Sequence, residues 1–110
     1  MTDTSPLSSA DQQLLRAKLN TETARIHWQE LQRYFAAGKL ISVAAELDLI
    51  EVAYQLASDN AAQLQQWLAA GLVQRVQDDQ ASQWQADEQE FWAVVVRPWV
   101  VIQPMKKEAH

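Results

Sequence analysis

The sequence of 110 residues contains no cysteine, only two glycines and only three prolines. Without thiols there is no disulfide framework, no thiolate nucleophile and no cysteine-ligated zinc, which leaves His27 and His110 as the histidine donors for a metal. Gly38 and Gly71 stand far apart, so a glycine-rich phosphate loop cannot form, and no serine sits in a nucleophile-elbow setting. Long apolar runs are missing too. Phe91 to Val96, the longest uninterrupted one, is too short to cross a bilayer, and Met1 to Leu7 lack the basic and apolar parts of a signal peptide. These absences set the expectation of a cytoplasmic protein with no cofactor, no metal, no membrane association and no small-molecule ligand.

Of the residues present, 48% are hydrophobic and 21% charged, enough for one core. A chain of this length buries roughly two-thirds of its unfolded surface without staples. Fourteen acids against nine Lys and Arg give a formal charge of -5, the wrong sign for attracting a polyanion. Fifteen glutamines make the remaining surface polar and poor in charge.

Residues 1–8 are small and polar and include Pro6, which reads as a disordered lead-in. Ser9 with Gln12 fits a capping box. Leu15, Leu19, Thr23, Ile26, Trp28, Leu31 and Phe35 then recur at helical spacing until Gly38, predicting one long N-terminal helix. Asn20-Thr21 is the place where it would break if two segments form instead. Leu40-Ile41-Ser42-Val43 reads as a short strand. Asp48 with Glu51 forms a second capping box, with Leu47 placed to staple Val52, so the next helix starts at Leu49. Ser58-Asp59-Asn60 interrupts it, and a further helix follows whose buried face would be Leu64, Trp67 and Leu68, ending at Gly71. Leu72 to Val76 reads as a strand and Asp78-Asp79 as a turn. Ala81 to Gln89, centred on Trp84, reads as helix or loop. Phe91 to Val96 and Trp99 to Ile102 are the clearest strands, with a bulge, edge or turn at Arg97-Pro98 because proline cannot donate to a ladder. Residues 104–110 read as a disordered tail, leaving 9–103 as a single globular domain.

A strand, two helices joined by a three-residue turn, then returning strands is the order of winged helix-turn-helix domains. The expected class is therefore α+β, winged-helix-like, with a long N-terminal helix, a helix-turn-helix pair and a small antiparallel sheet. Trp28 with Glu30-Leu31, Val43-Ala44, Leu47-Asp48-Leu49 with Val52-Ala53, Trp67, Phe91 to Val96 and Pro98-Trp99-Val100 carry a resemblance to a bacterial family, domain of unknown function 2288. The resemblance spans Leu15 to Gln103. It implies a bacterial setting and brings no activity or ligand with it.

Candidate sites are few. From Leu40 to Gln74 there is no basic residue, while Glu46, Asp48, Glu51 and Asp59 are acidic, so a recognition helix here would meet phosphates without a cation. Gln63, Gln65 and Gln66 could touch adenine edges but do not replace that charge. Of the acids at 46, 48 and 51, Asp48 and Glu51 are read as the capping box, which leaves only Glu46 unassigned, and His27 with Glu30 is too few ligands for a metal. The C-terminal run is apolar on both strand faces: Trp92, Val94 and Val96 on one, Ala93 and Val95 on the other. Either it is a central strand between helices or part of it is covered by another chain. The sequence reading is a non-enzymatic protein-interaction or structural module that forms a homodimer through Phe91, Trp92, Val94, Val96, Trp99 and Val101. A winged-helix transcription regulator is the alternative, and a small enzyme the third.

The capping assignment carries a first prediction. Asp48→Ala should lower stability by about 1 kcal/mol, whereas Asp48→Asn, an equally good cap, should leave the urea midpoint close to that of the parent; two equal midpoints would remove the cap from the account.

Overall fold

A computed structural model describes residues Ser9 to Met105 and shows a mixed α+β domain. In chain order the elements are α1 (Ser9–Glu22), β1 (Ala24–His27), α2 (Trp28–Ala36), β2 (Leu40–Val43), α3 (Leu49–Ala57), α4 (Ala61–Ala69), β3 (Val73–Arg75), α5 (Asp78–Asp87), β4 (Glu90–Val96) and β5 (Trp99–Pro104). The five strands form one sheet in the order β1-β4-β5-β2-β3. All neighbours are antiparallel except β2 and β5, which are parallel with Ile41 opposite Val101, so the sheet is mixed and not the small antiparallel one expected.

The long N-terminal helix is two helices with a strand between them. Thr21 Oγ1 donates to the carbonyl of Ala17 and Thr23 Oγ1 to that of Leu19, side-chain bonds that close the last turn of α1 beside Asn20. Ala24 to His27 then pair with Ala93 to Glu90. The helical stripe misled because Leu19, Ile26 and Trp28 are all core-facing, but in two different layers. Residues 1–8 and 106–110 lie outside the described residues. Pro104 closes β5 opposite Phe91, and the Met105 amide donates to the Glu90 carbonyl, so the start of the expected tail belongs to the sheet.

Other local readings hold with changes of detail. Asp48 caps α3, its carboxylate accepting from the Ile50 amide at 2.9 Å, but Glu51 does not reach back to complete a capping box. It takes Arg16 of α1 in a two-pronged ion pair, at 3.0 Å for the closest contact. Arg16 also lies over the Tyr54 ring, 4.0 Å from its centroid, so one side chain holds α1 against α3 through charge and an aromatic face. Asp59, at φ 60°, and Gly71, at φ 76°, take the left-handed positions that end α3 and α4. Helix α5 begins at Asp78, earlier than its apolar residues suggest, because Asp78 and Asp79 occupy its positively polarised first turn. Arg97-Pro98 is the two-residue turn of the β4–β5 hairpin.

Both faces of the sheet are covered. On one, Phe91, Ala93, Val100, Ile102 and Leu40 meet Trp28 and Leu31 of α2 and Ala81 and Trp84 of α5. Trp84 stands edge-on to Phe91, centroids 4.9 Å apart, and Trp28 touches Phe35, Trp84 and Phe91. On the other, Val43, Val73, Val94 and Val101 pack under Leu19 of α1 and Leu49, Val52, Ala53 and Tyr54 of α3. A domain of this size covers its sheet twice because the helices are short, nine or ten residues in α2 to α5, and each covers only part of a face.

This layering predicts unequal costs along β4. Phe91 is fully buried, so Phe91→Ala should cost about 3–5 kcal/mol, while the neighbouring Trp92→Ala should cost far less because that ring is 39% exposed. Urea unfolding of the two variants checks this; equal losses would place both rings in the core.

Candidate functional site

The six residues expected at an interface separate into core and surface. Phe91, Val94 and Val101 are buried within the domain itself, and half-buried Val96 packs on the α1/α3 layer, so the core uses what the interface reading had assigned to a partner. Half-buried Trp99 faces the Arg75 guanidinium, 5.0 Å from its ring centroid. Trp92 remains accessible. Val95, which the sequence reading left out of the interface, is 53% exposed and lies beyond Ala93, where the pairing of β4 with β1 ends.

Trp92 lies where the α1/α3 layer stops. Cross-strand partners share a face, so Arg25 of β1 and Gln103 of β5, which flank Trp92 in register, stand beside it. The next row is His27 and Glu90, and Glu90 accepts from Arg25 at 3.4 Å and lies 3.8 Å from the His27 imidazole. The C-terminal end of α1 and the N-terminal end of α3 frame a cleft of about 300 Å³ here, lined by Asn20, Thr23, Asp48, Ile50, Trp92 and Gln103. Gln103 is held by two bonds, its Nε2 donating to the carbonyls of Ala44 and Leu47 at 2.8 Å each. No local pattern could have disclosed that role, because those partners lie more than fifty residues away in sequence.

Helix α4 is the second surface. Leu64 and Trp67 are half-buried, but Leu68 is 52% exposed, and no residue of α4 is buried, so the expected inward face is only partly inward. The helix is anchored at its ends instead. Asn60 caps it by accepting from the Gln63 amide, and Gly71 turns the chain into β3.

Glu30, Asp48 and Glu51 are occupied by structural bonds. Glu30 accepts from the backbone amide of His27 at 3.3 Å and so caps α2 rather than assisting the imidazole. Glu51 is held by Arg16 and Gln55, and Asp48 by the Ile50 amide. Among the described residues no three His, Asp or Glu side chains gather as a metal ion would require. No described helix is long and apolar enough to cross a membrane.

The model of a family described as protein of unknown function (DUF2288) matches residues 14–104. The chain belongs to this family. The solution structure of PA1075 from Pseudomonas aeruginosa is similar, at 42% sequence identity and a TM-score of 0.77, with 100% of this chain and 98% of that one covered. No curated protein matches. This DUF2288 chain is thus a five-stranded mixed sheet between helices, with the Trp92 cleft and α4 among its open surfaces.

Proposed function

We propose that the protein is a non-enzymatic, cytoplasmic interaction module that self-associates, and that α4 is the contact surface. The observation that carries this reading is a coincidence of exposure and charge. From Asn60 to Gln74, fifteen consecutive residues contain no charged side chain, in a chain whose formal charge is -5, and the helix in this stretch leaves Leu68 half exposed. Two acidic copies repel over most of their surfaces, and an uncharged strip is where they approach at least cost. Ala61, Ala62, Ala69 and Ala70 leave little bulk at the two ends of α4, which favours close packing of an antiparallel helix pair. Such a pair is two-fold symmetric and needs one self-complementary patch. Self-association is retained from the sequence reading, and its surface moves from the C-terminal strands to α4 because the strands' apolar side chains are used by the core.

In the winged-helix reading, α3, the Asp59 turn and α4 would be the helix-turn-helix pair and α4 the helix entering the major groove. Charge weighs against a DNA-binding regulator. The exposed side of α4 carries alanines, glutamines and Leu68, with no cation to meet phosphate.

Light scattering at micromolar concentration should give twice the monomer mass of 12.5 kDa. Leu68→Glu should return it to the monomer with stability unchanged within about 0.5 kcal/mol, as for a surface substitution. A monomer at every concentration, or a dimer that survives Leu68→Glu, would contradict the reading. A duplex-DNA mobility assay at physiological salt should show no shift; a salt-sensitive shift weakened by Lys39→Ala or Arg75→Ala would favour the regulator instead.

A further inference from the structure

The cleft at Trp92 has an unusual polarity for its position. The start of a helix ordinarily offers free amides and a positive field to anions. At α3 that is reversed, because Asp48 takes the Ile50 amide through Oδ1 and sets its own negative charge at the mouth of the cleft. Two other polar side chains of the lining have their donors already used. Both Nε2 bonds of Gln103 go to backbone carbonyls, which leaves Oε1 as its unused group. The Thr23 hydroxyl donates to the Leu19 carbonyl, so only its lone pairs remain. Arg25, the nearest cation in register, is drawn to Glu90, and Glu90 in turn has Arg25 and His27 beside it. A partly exposed indole thus lines a cleft with a carboxylate, two neutral acceptors and the Asn20 amide, and Leu49 and Ile50 add apolar contacts.

We propose that this cleft binds a guanidinium group, presented as an arginine side chain by a partner polypeptide. Guanidinium matches each feature. It is flat, stacks on an indole face, carries five donors for acceptors spread around that face, and is permanently positive beside Asp48. An anion would meet the Asp48 charge with no cation in the lining and only the neutral Asn20 amide and Trp92 indole N–H to donate to it, and a purely apolar side chain would strip water from Asp48 and Gln103 without replacing it. The acidic net charge of the chain also draws a basic partner segment toward it. The proposal is independent of self-association, since the cleft and α4 share no residue.

The test is a heteronuclear NMR titration of the intact protein with N-acetyl-arginine methylamide. The citrulline analogue, of the same shape and uncharged, and the lysine analogue serve as the comparison arms. The Trp92 indole resonance is assigned by its disappearance in Trp92→Phe. The expected result is a saturable shift of that resonance and of the Asp48 and Gln103 signals. Binding should be about tenfold weaker for the citrulline analogue, and weaker by a similar factor in Asp48→Asn, which keeps the helix cap while removing the charge. Weaker binding of the lysine analogue is expected from its lack of a planar fork. Equal binding of arginine and citrulline, undiminished binding in Asp48→Asn, lysine binding as tight as arginine, or the absence of a saturable shift would overturn the proposal.

Discussion

The fold depends on one constraint: the β4–β5 hairpin is apolar on both of its faces. A strand alternates its side chains, so Phe91 and Ala93 point to one side of the sheet while Val94 and Val96 point to the other, and β5 repeats this with Val100 and Ile102 against Val101. Neither side can be left to water. The chain answers with α2 and α5 on the first face and α1 and α3 on the second. The first layer is aromatic, built on Trp28, Trp84 and Phe91, and the second is aliphatic, built on valines and leucines closed by Tyr54. With β4 and β5 central, β1 and β3 become the edges, and both are short; β1 in addition carries Arg25 and His27, which discourage pairing with another sheet.

What is left over after both faces are covered is what remains for recognition. Four helices hide most of the hairpin, leaving Trp92 and Val95 accessible, and α4 is the fifth. It makes most of its contacts with α3 and β3 and exposes the rest. The helical cover on the second face also ends before the sheet does, which leaves Trp92 beside Arg25 and Gln103 with a cleft between α1 and α3. One surface is uncharged, with alanines, glutamines and Leu68, and the other is aromatic beside a carboxylate, which is why different partners are proposed for them: a like copy for α4, a basic side chain for the cleft.

Local signals in the sequence were sound where structure is decided locally. The Asp48 and Asn60 caps, the turn at Asp59, the Gly71 stop and the Arg97-Pro98 hairpin turn are each determined within a few residues. Non-local pairing was not legible. Ala24 to His27 form a strand because Glu90 to Ala93 offer them an edge, and their own side chains, one of them Ile26, do not alternate strongly enough to announce it. The parallel pairing of β2 with β5 joins segments about sixty residues apart and leaves no pattern in either. Glu51 illustrates the same limit: its spacing from Asp48 suggests a cap, and Arg16 on another helix decides where it goes. For the site, Trp92 was visible as an aromatic residue in need of cover, but only the placement of α2 and α5 over Phe91, with α1 and α3 stopping short of Trp92, shows that the first ring is covered from within and the second is not.

The central proposal is that most of the hairpin's apolar side chains are hidden inside the domain and that contact between copies is made elsewhere, along α4. Amide hydrogen exchange of the full chain, compared at dilute and concentrated conditions, tests both halves at once. Slow exchange in β4 and β5 at every concentration, with protection gained on concentration only between residues 60 and 72, is the predicted pattern. Protection gained in β4 and β5 instead, with α4 unchanged, would contradict the account and return the interface to the strands.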